Sequence, residues 1–144
     1  MVPTLAGRLQ TRLFLLATVG VVLTVLVTPL LPVDAPLGTA YRASFGVLFA
    51  VALLGMGWEL AYHGLQQFRW EKDWPTMFGL LTALNEGLLV WLAVRADAVP
   101  GAAGLSGSAF VIHFGVVWVG VWLCANGPMR VPFLRWRFHG GRLL

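Results

Sequence analysis

The stretch Leu13–Pro32, LFLLATVGVVLTVLVTPLLP, decides the fold class of this chain. It carries no charge and is bracketed by Arg12 and Asp34. A hydrocarbon core ~30 Å thick is crossed by ~20 apolar helical residues rising ~1.5 Å each, so the run is long enough to span a bilayer. Pro29 and Pro32 bring it to an end, because proline donates no backbone hydrogen bond to a continuing helix.

The same criterion, carried outward, finds three more runs. One follows Arg42, runs through Phe45–Leu60 and fades at Gln66-Gln67. The next starts after Trp74-Pro75 and reaches Val94, just before Arg95. The last runs from Ser108 to Ala125 and stops at Asn126-Gly127-Pro128. Spans are therefore expected at about 13–31, 43–66, 75–95 and 108–126, with 127–144 left as a basic aromatic tail. The first run exceeds the ~7–15 residue core of a signal peptide and is expected to remain as a span.

Composition agrees. Of 144 residues, 58% are hydrophobic and 11% charged, against ~25% charged in ordinary soluble domains. Such a chain has too little polar surface to cover itself in water. The fold expected is an all-α polytopic membrane protein, a single four-span domain. Short connections favour antiparallel neighbours, hence an up-down-up-down bundle. The bias to Arg over Lys, with abundant Ala, Gly, Val and Trp, suits a GC-rich bacterial source. The lone Cys124 sits inside the last span, where it forms no intrachain disulfide.

The net charge of +4 does not mark a nucleic-acid partner, because its basic residues stand at span ends rather than on one soluble face. Arg8 and Arg12 precede the first span, Arg69 and Lys72 lie in the middle loop, and Arg130, Arg135, Arg137 and Arg142 are in the tail. The positive-inside rule puts all three segments on the cytoplasmic side of a bacterial inner membrane, with both termini inside. In the tail, those arginines alternate with Phe133, Trp136 and Phe138. Rings at headgroup level and basic groups near anionic lipid make a membrane anchor, or a docking strip for a partner. Arg130, Arg135, Trp136, Arg137 and Arg142 are the candidate contacts.

Helix contacts in lipid rest on small residues and polar pairs. Gly79, Ala83 and Gly87 form one small-residue stripe, Gly57 and Ala61 another, and Gly120 shares a face with His113. The 95–108 loop, rich in glycine, is expected to be flexible.

Ionisable residues inside spans are costly and are functional candidates by default. Glu59, Glu86 and His113 qualify, with Asn85 beside Glu86 and His63 near a span end. Counted at ~1.5 Å per residue, Glu59 lies ~24 Å below the outer surface, Glu86 ~14 Å and His113 ~9 Å. Glu86 is therefore expected to meet His113, either pinning two helices or relaying a proton. Glu59 and Glu86, ~10 Å apart in depth, require a water or a partner group between them. Glu59 and His63, four apart, share a helix face. Two such ligands fall short of the three or four a metal needs. A haem between His63 and His113 fails on a depth difference of ~20 Å.

No phosphate loop, nucleophile elbow or zinc signature occurs, so neither catalytic residue nor cofactor is assigned, and the chain leans away from enzyme chemistry. Small multidrug transporters also have four short spans and a buried glutamate. Theirs lies in the first helix, which here reads as uncharged, packing or lipid-facing. The expected role is a non-catalytic accessory or structural subunit of a larger bacterial membrane complex, with membrane subunits or further copies as partners. The alternatives are a small oligomeric proton- or ion-coupled transporter or channel using Glu86 and His113, and a membrane enzyme or redox subunit.

Overall fold

A computed structural model describes residues 2–144. The described residues form helices joined by turns, with no strand among them, and four helical stretches are long and apolar enough to cross a membrane: Leu5–Leu30, Leu37–Gln67, Thr76–Arg95 and Gly107–Arg130. The chain is a multi-pass, all-helical membrane protein.

The first span starts eight residues before the charge-free run. Thr4 caps α1 (Leu5–Leu15), its Oγ1 accepting from the Gly7 backbone N–H at 3.1 Å. A side-chain oxygen at that position satisfies a donor the first helical turn leaves unpaired. Arg8 and Arg12 therefore belong to the span, where the sequence reading placed them ahead of it. A π turn follows at Leu16–Gly20, with the Val21 N–H reaching back to the Leu16 carbonyl. Helix α2 (Val21–Val27) continues the span to a 3-10 turn at Thr28–Leu30, where Pro29 ends it.

Helix α3 covers Leu37–Gln67, α4 Thr76–Arg95 and α5 Gly107–Asn126. Pro36 and Pro75 stand immediately before α3 and α4. Ser106 caps α5, its Oγ accepting from the Ala109 N–H. Each helix packs on the next in sequence. The ring closes where the π turn and α2 lean on α5 while α1 leans on α3.

Glycines mark the close approaches. Cβ atoms at Gly79 and Gly87 would stand 3.5 Å from Trp122 and 2.9 Å from Phe114, so the stripe on α4 faces α5. A Cβ at Gly120 would collide with Leu23. Gly57 faces open space. From Trp91 on α4 the ring row passes to Phe110, Phe114 and Trp118 along α5, at 5.1–5.5 Å between neighbours. Val47, Val51, Val90, Val94 and Val117 fill the centre.

Two segments depart from their sequence reading. The 95–108 connection packs against the bundle, with Val99, Ala102 and Leu105 buried; Gly46 lets the Pro100 carbonyl come close. The tail turns at Pro128–Arg130, forms the short helix α6 (Leu134–Phe138) and returns to α1. Trp136 is buried with Leu15 and Met129 and donates to Thr11 Oγ1 at 2.7 Å, so its ring is turned into the bundle. The Thr4 N–H donates to the Gly140 carbonyl, and the Leu143 N–H to Gln10 Oε1. Gly140 and Gly141 take φ of 64° and 83°, a region that other residues enter at a cost, and their backbone passes directly over Gly7. The Gly-Gly pair is thus a crossing point between the two ends of the chain. Arg130, Arg135, Arg137 and Arg142 stay exposed around it.

A Cβ at Gly7 would run into the Gly140 backbone. Gly7→Val is expected to release residues 134–144 at a cost of ~1–3 kcal/mol for overpacking. Limited trypsin digestion at Arg135 and Arg137 should be faster than in wild type. Unchanged cleavage, with Ala17→Val on the exposed face as control, would dismiss the crossing as a structural element.

Candidate functional site: a buried ion-pair cluster beside a cavity

Charges inside an apolar bundle are tolerated when each finds an opposite charge and its remaining hydrogen-bonding groups are satisfied. Arg12 meets that requirement for two carboxylates at once. Its Nη1 and Nη2 donate to the two oxygens of Glu86, each at 2.8 Å, the bidentate geometry that a planar guanidinium favours. Its Nε donates to Glu59 Oε1 at 2.9 Å, and Nη2 stands 2.7 Å from the same oxygen. Arg8, one turn earlier on the same face, donates to Glu59 Oε2 at 3.2 Å and twice to Gln66 Oε1, at 3.1 and 2.7 Å. The side chains are 2–11% exposed, so these are buried pairs rather than surface ones.

A shell of neutral groups completes the cluster. Tyr62 donates its hydroxyl to Glu86 at 3.0 Å and accepts from Asn85 at 2.7 Å. Gln66 donates to the carbonyls of Pro3 and Lys72, tying the N-terminus and the loop after α3 to the same point. Arg8 lies over the Trp74 ring at 4.5 Å and Arg12 over Trp118 at 5.8 Å. Gly55 leaves room for the Arg12 guanidinium, since a Cβ there would overlap it. Residues from α1, α3, α4 and α5 all take part.

The sequence had named Glu59, Glu86 and Asn85, and all three are here. His113 is not. It is buried on α5 with Nε2 2.9 Å from Thr24 Oγ1, which ties α5 to α2. The expected Glu86–His113 pair is replaced by Glu86–Arg12. His63 is only partly buried and also lies outside the cluster, while Gln66 belongs to it. The group needed between Glu59 and Glu86 is the Arg12 side chain.

Depth counting misplaced the partners because the helices are not flush. Measured from the end that carries the chain termini, Arg12, Glu59 and Glu86 lie ~10, ~12 and ~15 Å along their helices. Arg8 and Arg12 read as topology markers in the sequence because they sit at the edge of the apolar run, where arginine ordinarily marks its end. A usable signal was present. Arg8 and Arg12 at four-residue spacing match Glu59 and Gln66 two turns apart on the next helix, as facing sides of one hairpin.

Beside the cluster is a cavity of about 430 Å³, between α1, the first turns of α4 and the second half of α5. Arg8, Arg12, Glu59, Trp118, Trp122 and Trp136 are among its walls. The Trp118, Trp122 and Trp136 indole N–H groups are already donated to Gly79, Thr76 and Thr11. Among the described residues, no three His, Cys, Asp or Glu side chains gather where one metal ion could be held. Comparison with known proteins finds no family, curated protein or solved structure that matches the chain. Fold and site together define a four-helix membrane bundle pinned by an internal salt-bridge cluster.

Removing one member of a buried pair typically costs ~3–5 kcal/mol, whereas replacing both with apolar groups of similar size costs far less. Arg12→Met is therefore expected to lower the unfolding midpoint in mild detergent more than the double variant Arg12→Met/Glu86→Met, which leaves the Arg8–Glu59 pair in place. Circular dichroism on heating reads the order. If the single variant proves the milder, the cluster does not hold the helices.

Proposed function

We propose that this chain is a non-catalytic structural or accessory subunit of a larger assembly in a bacterial inner membrane, with both termini on the cytoplasmic side. One observation carries the reading: both intramembrane carboxylates are bound to arginines of the same bundle. A carboxylate held by a bidentate guanidinium is a poor proton carrier, because protonating it strands a buried cation. The cluster suits a fixed scaffold. An outward patch on α3 supports a partner. Gly57, Ala61 and Gly64 are exposed, and nothing lies within 4 Å of a Cβ built at either glycine. Small residues on a lipid-facing helix let a neighbouring helix approach closely. The orientation rests on the distribution of arginines over the chain ends.

The alternative, a proton- or ion-coupled transporter using Glu86, draws on the same carboxylates. Arg12 bridging Glu59 and Glu86, with His113 bonded elsewhere, weighs against it.

Affinity purification after gentle solubilisation tests the proposal. A stoichiometric membrane partner should co-elute with wild type and be lost from Gly57→Leu/Gly64→Leu, whose own unfolding midpoint should not move. Reconstituted vesicles should show the same proton permeability with wild type, with Glu86→Gln and without protein. Elution alone as a defined species, or a proton flux abolished by Glu86→Gln, would overturn the accessory role.

A further inference from the structure

The cavity beside the cluster has a composition that the helix-pinning role does not use. One side of its inner part is apolar, with Leu15 and Leu16 on the first span and Val117 and Val121 on α5, and the other is the Arg12–Glu59 pair. Its outer end is polar and lies where the chain termini meet, bounded by Asp73, Asn126 and Arg130. From Asn126 to Val117 along α5 it extends ~13 Å into the bundle. A volume of about 430 Å³ sits at the lower end of the ~300–1,000 Å³ typical of small-molecule sites.

The charges around it do not balance. Three guanidinium groups, Arg8, Arg12 and Arg130, line the cavity with two carboxylates, Glu59 and Asp73. Glu59 is bound by Arg8 and Arg12, and Asp73 is held by Arg69 at 3.0 Å. Glu86, next to the cavity, is bound by Arg12. Arg130 makes no ion pair among the described residues; its one side-chain bond is to Asn126 Oδ1 at 3.3 Å. Arg8 uses three of the five N–H donors a guanidinium carries, leaving two. The surplus is positive and lies toward the mouth. Two of the ring faces at the cavity, Trp74 and Trp118, are already taken by Arg8 and Arg12.

We propose that this cavity binds a single-chain amphiphile with an anionic head, the head at Arg130 and Arg8 and the chain between α1 and α5. The π turn at Leu16–Gly20 helps to make the space. Below it α1 packs on α3 and hardly touches α5, whereas the turn itself and α2 pack on α5, so the first span and α5 part on the cavity side. Single π turns inside α-helices recur at functional sites for this kind of reason. The membrane supplies the ligand class, and the termini, folded over each other, frame the mouth.

Tryptophan quenching tests the proposal. The full chain is placed in nanodiscs of phosphatidylcholine and titrated with bromine-labelled decanoate, with its methyl ester and with a bromine-labelled alkyltrimethylammonium of the same chain length. Decanoate should quench saturably at one per protein. The ester and the ammonium should quench weakly and in proportion to their content in the bilayer. Arg130→Gln should weaken decanoate binding roughly tenfold, the loss of a charge-assisted contact, and bring it toward the ester. Ala125→Phe from α5 and Thr82→Phe from α4 should each abolish saturation by filling the cavity, with circular dichroism confirming that the bundle is retained. Non-saturable quenching by all three probes, unchanged in both filled variants, overturns the site. Saturable binding that favours the ammonium or the ester overturns the anionic head.

Discussion

Arg12 holds two carboxylates that would otherwise repel each other in an apolar bundle. The carboxylates come from α3 and α4 and the guanidinium from α1, so one side chain fixes three helices at a common depth. Close packing alone leaves helices in lipid free to slide, because lipid tails are as apolar as the side chains they replace. An ion pair with fixed geometry permits one register. Arg8, Gln66 and Tyr62 then extend the constraint to the N-terminus and the loop after α3. Gly55 is the complementary concession, a missing side chain where the guanidinium passes.

The rest of the fold accommodates that anchor. The first span must lean on α3 at the level of Arg12 and on α5 at the level of Leu23 and Thr24. Its π turn falls between the two contacts. The cavity lies below that turn, between α1 and α5. The tail then covers the anchored end: Trp136 and the Gly140-Gly141 crossing pack against Thr11 and Gly7 of α1, within a turn of Arg8. Fourth-span contacts are of a different kind, a row of aromatic rings against the glycines of α4 and one histidine hydrogen bond to Thr24.

Much of the candidate site was legible as residues but not as pairs. Glu59, Glu86 and Asn85 stand out because charge and amide groups in apolar runs are expensive wherever they end up. Arg8 and Arg12 looked like ordinary end markers, since arginine at a span boundary is what an interface favours. Whether such an arginine faces headgroups or turns inward depends on what the next helix presents, and that is a property of two helices. The tail shows the same division. Its alternating Arg and aromatic residues suggested a surface strip, and the arginines are exposed. Trp136 turns inward, drawn by Leu15, Met129 and the Thr11 hydroxyl, and Phe133 packs edge-on against Phe14 beside it.

The sequence by itself determined that this is a helical membrane bundle of four spans. That conclusion depends on local quantities, the length of charge-free runs against the thickness of a bilayer core and the prolines that stop them. Only the tertiary structure decided that the first span carries the charges that organise the other three. A cap at Thr4 begins the helix before Arg8. Helices of unequal length then bring Arg12 level with Glu59 and Glu86 and leave His113 to Thr24. Where a helix starts and how it is offset against its neighbours are set by packing and ion pairing between segments, which no single run of residues records.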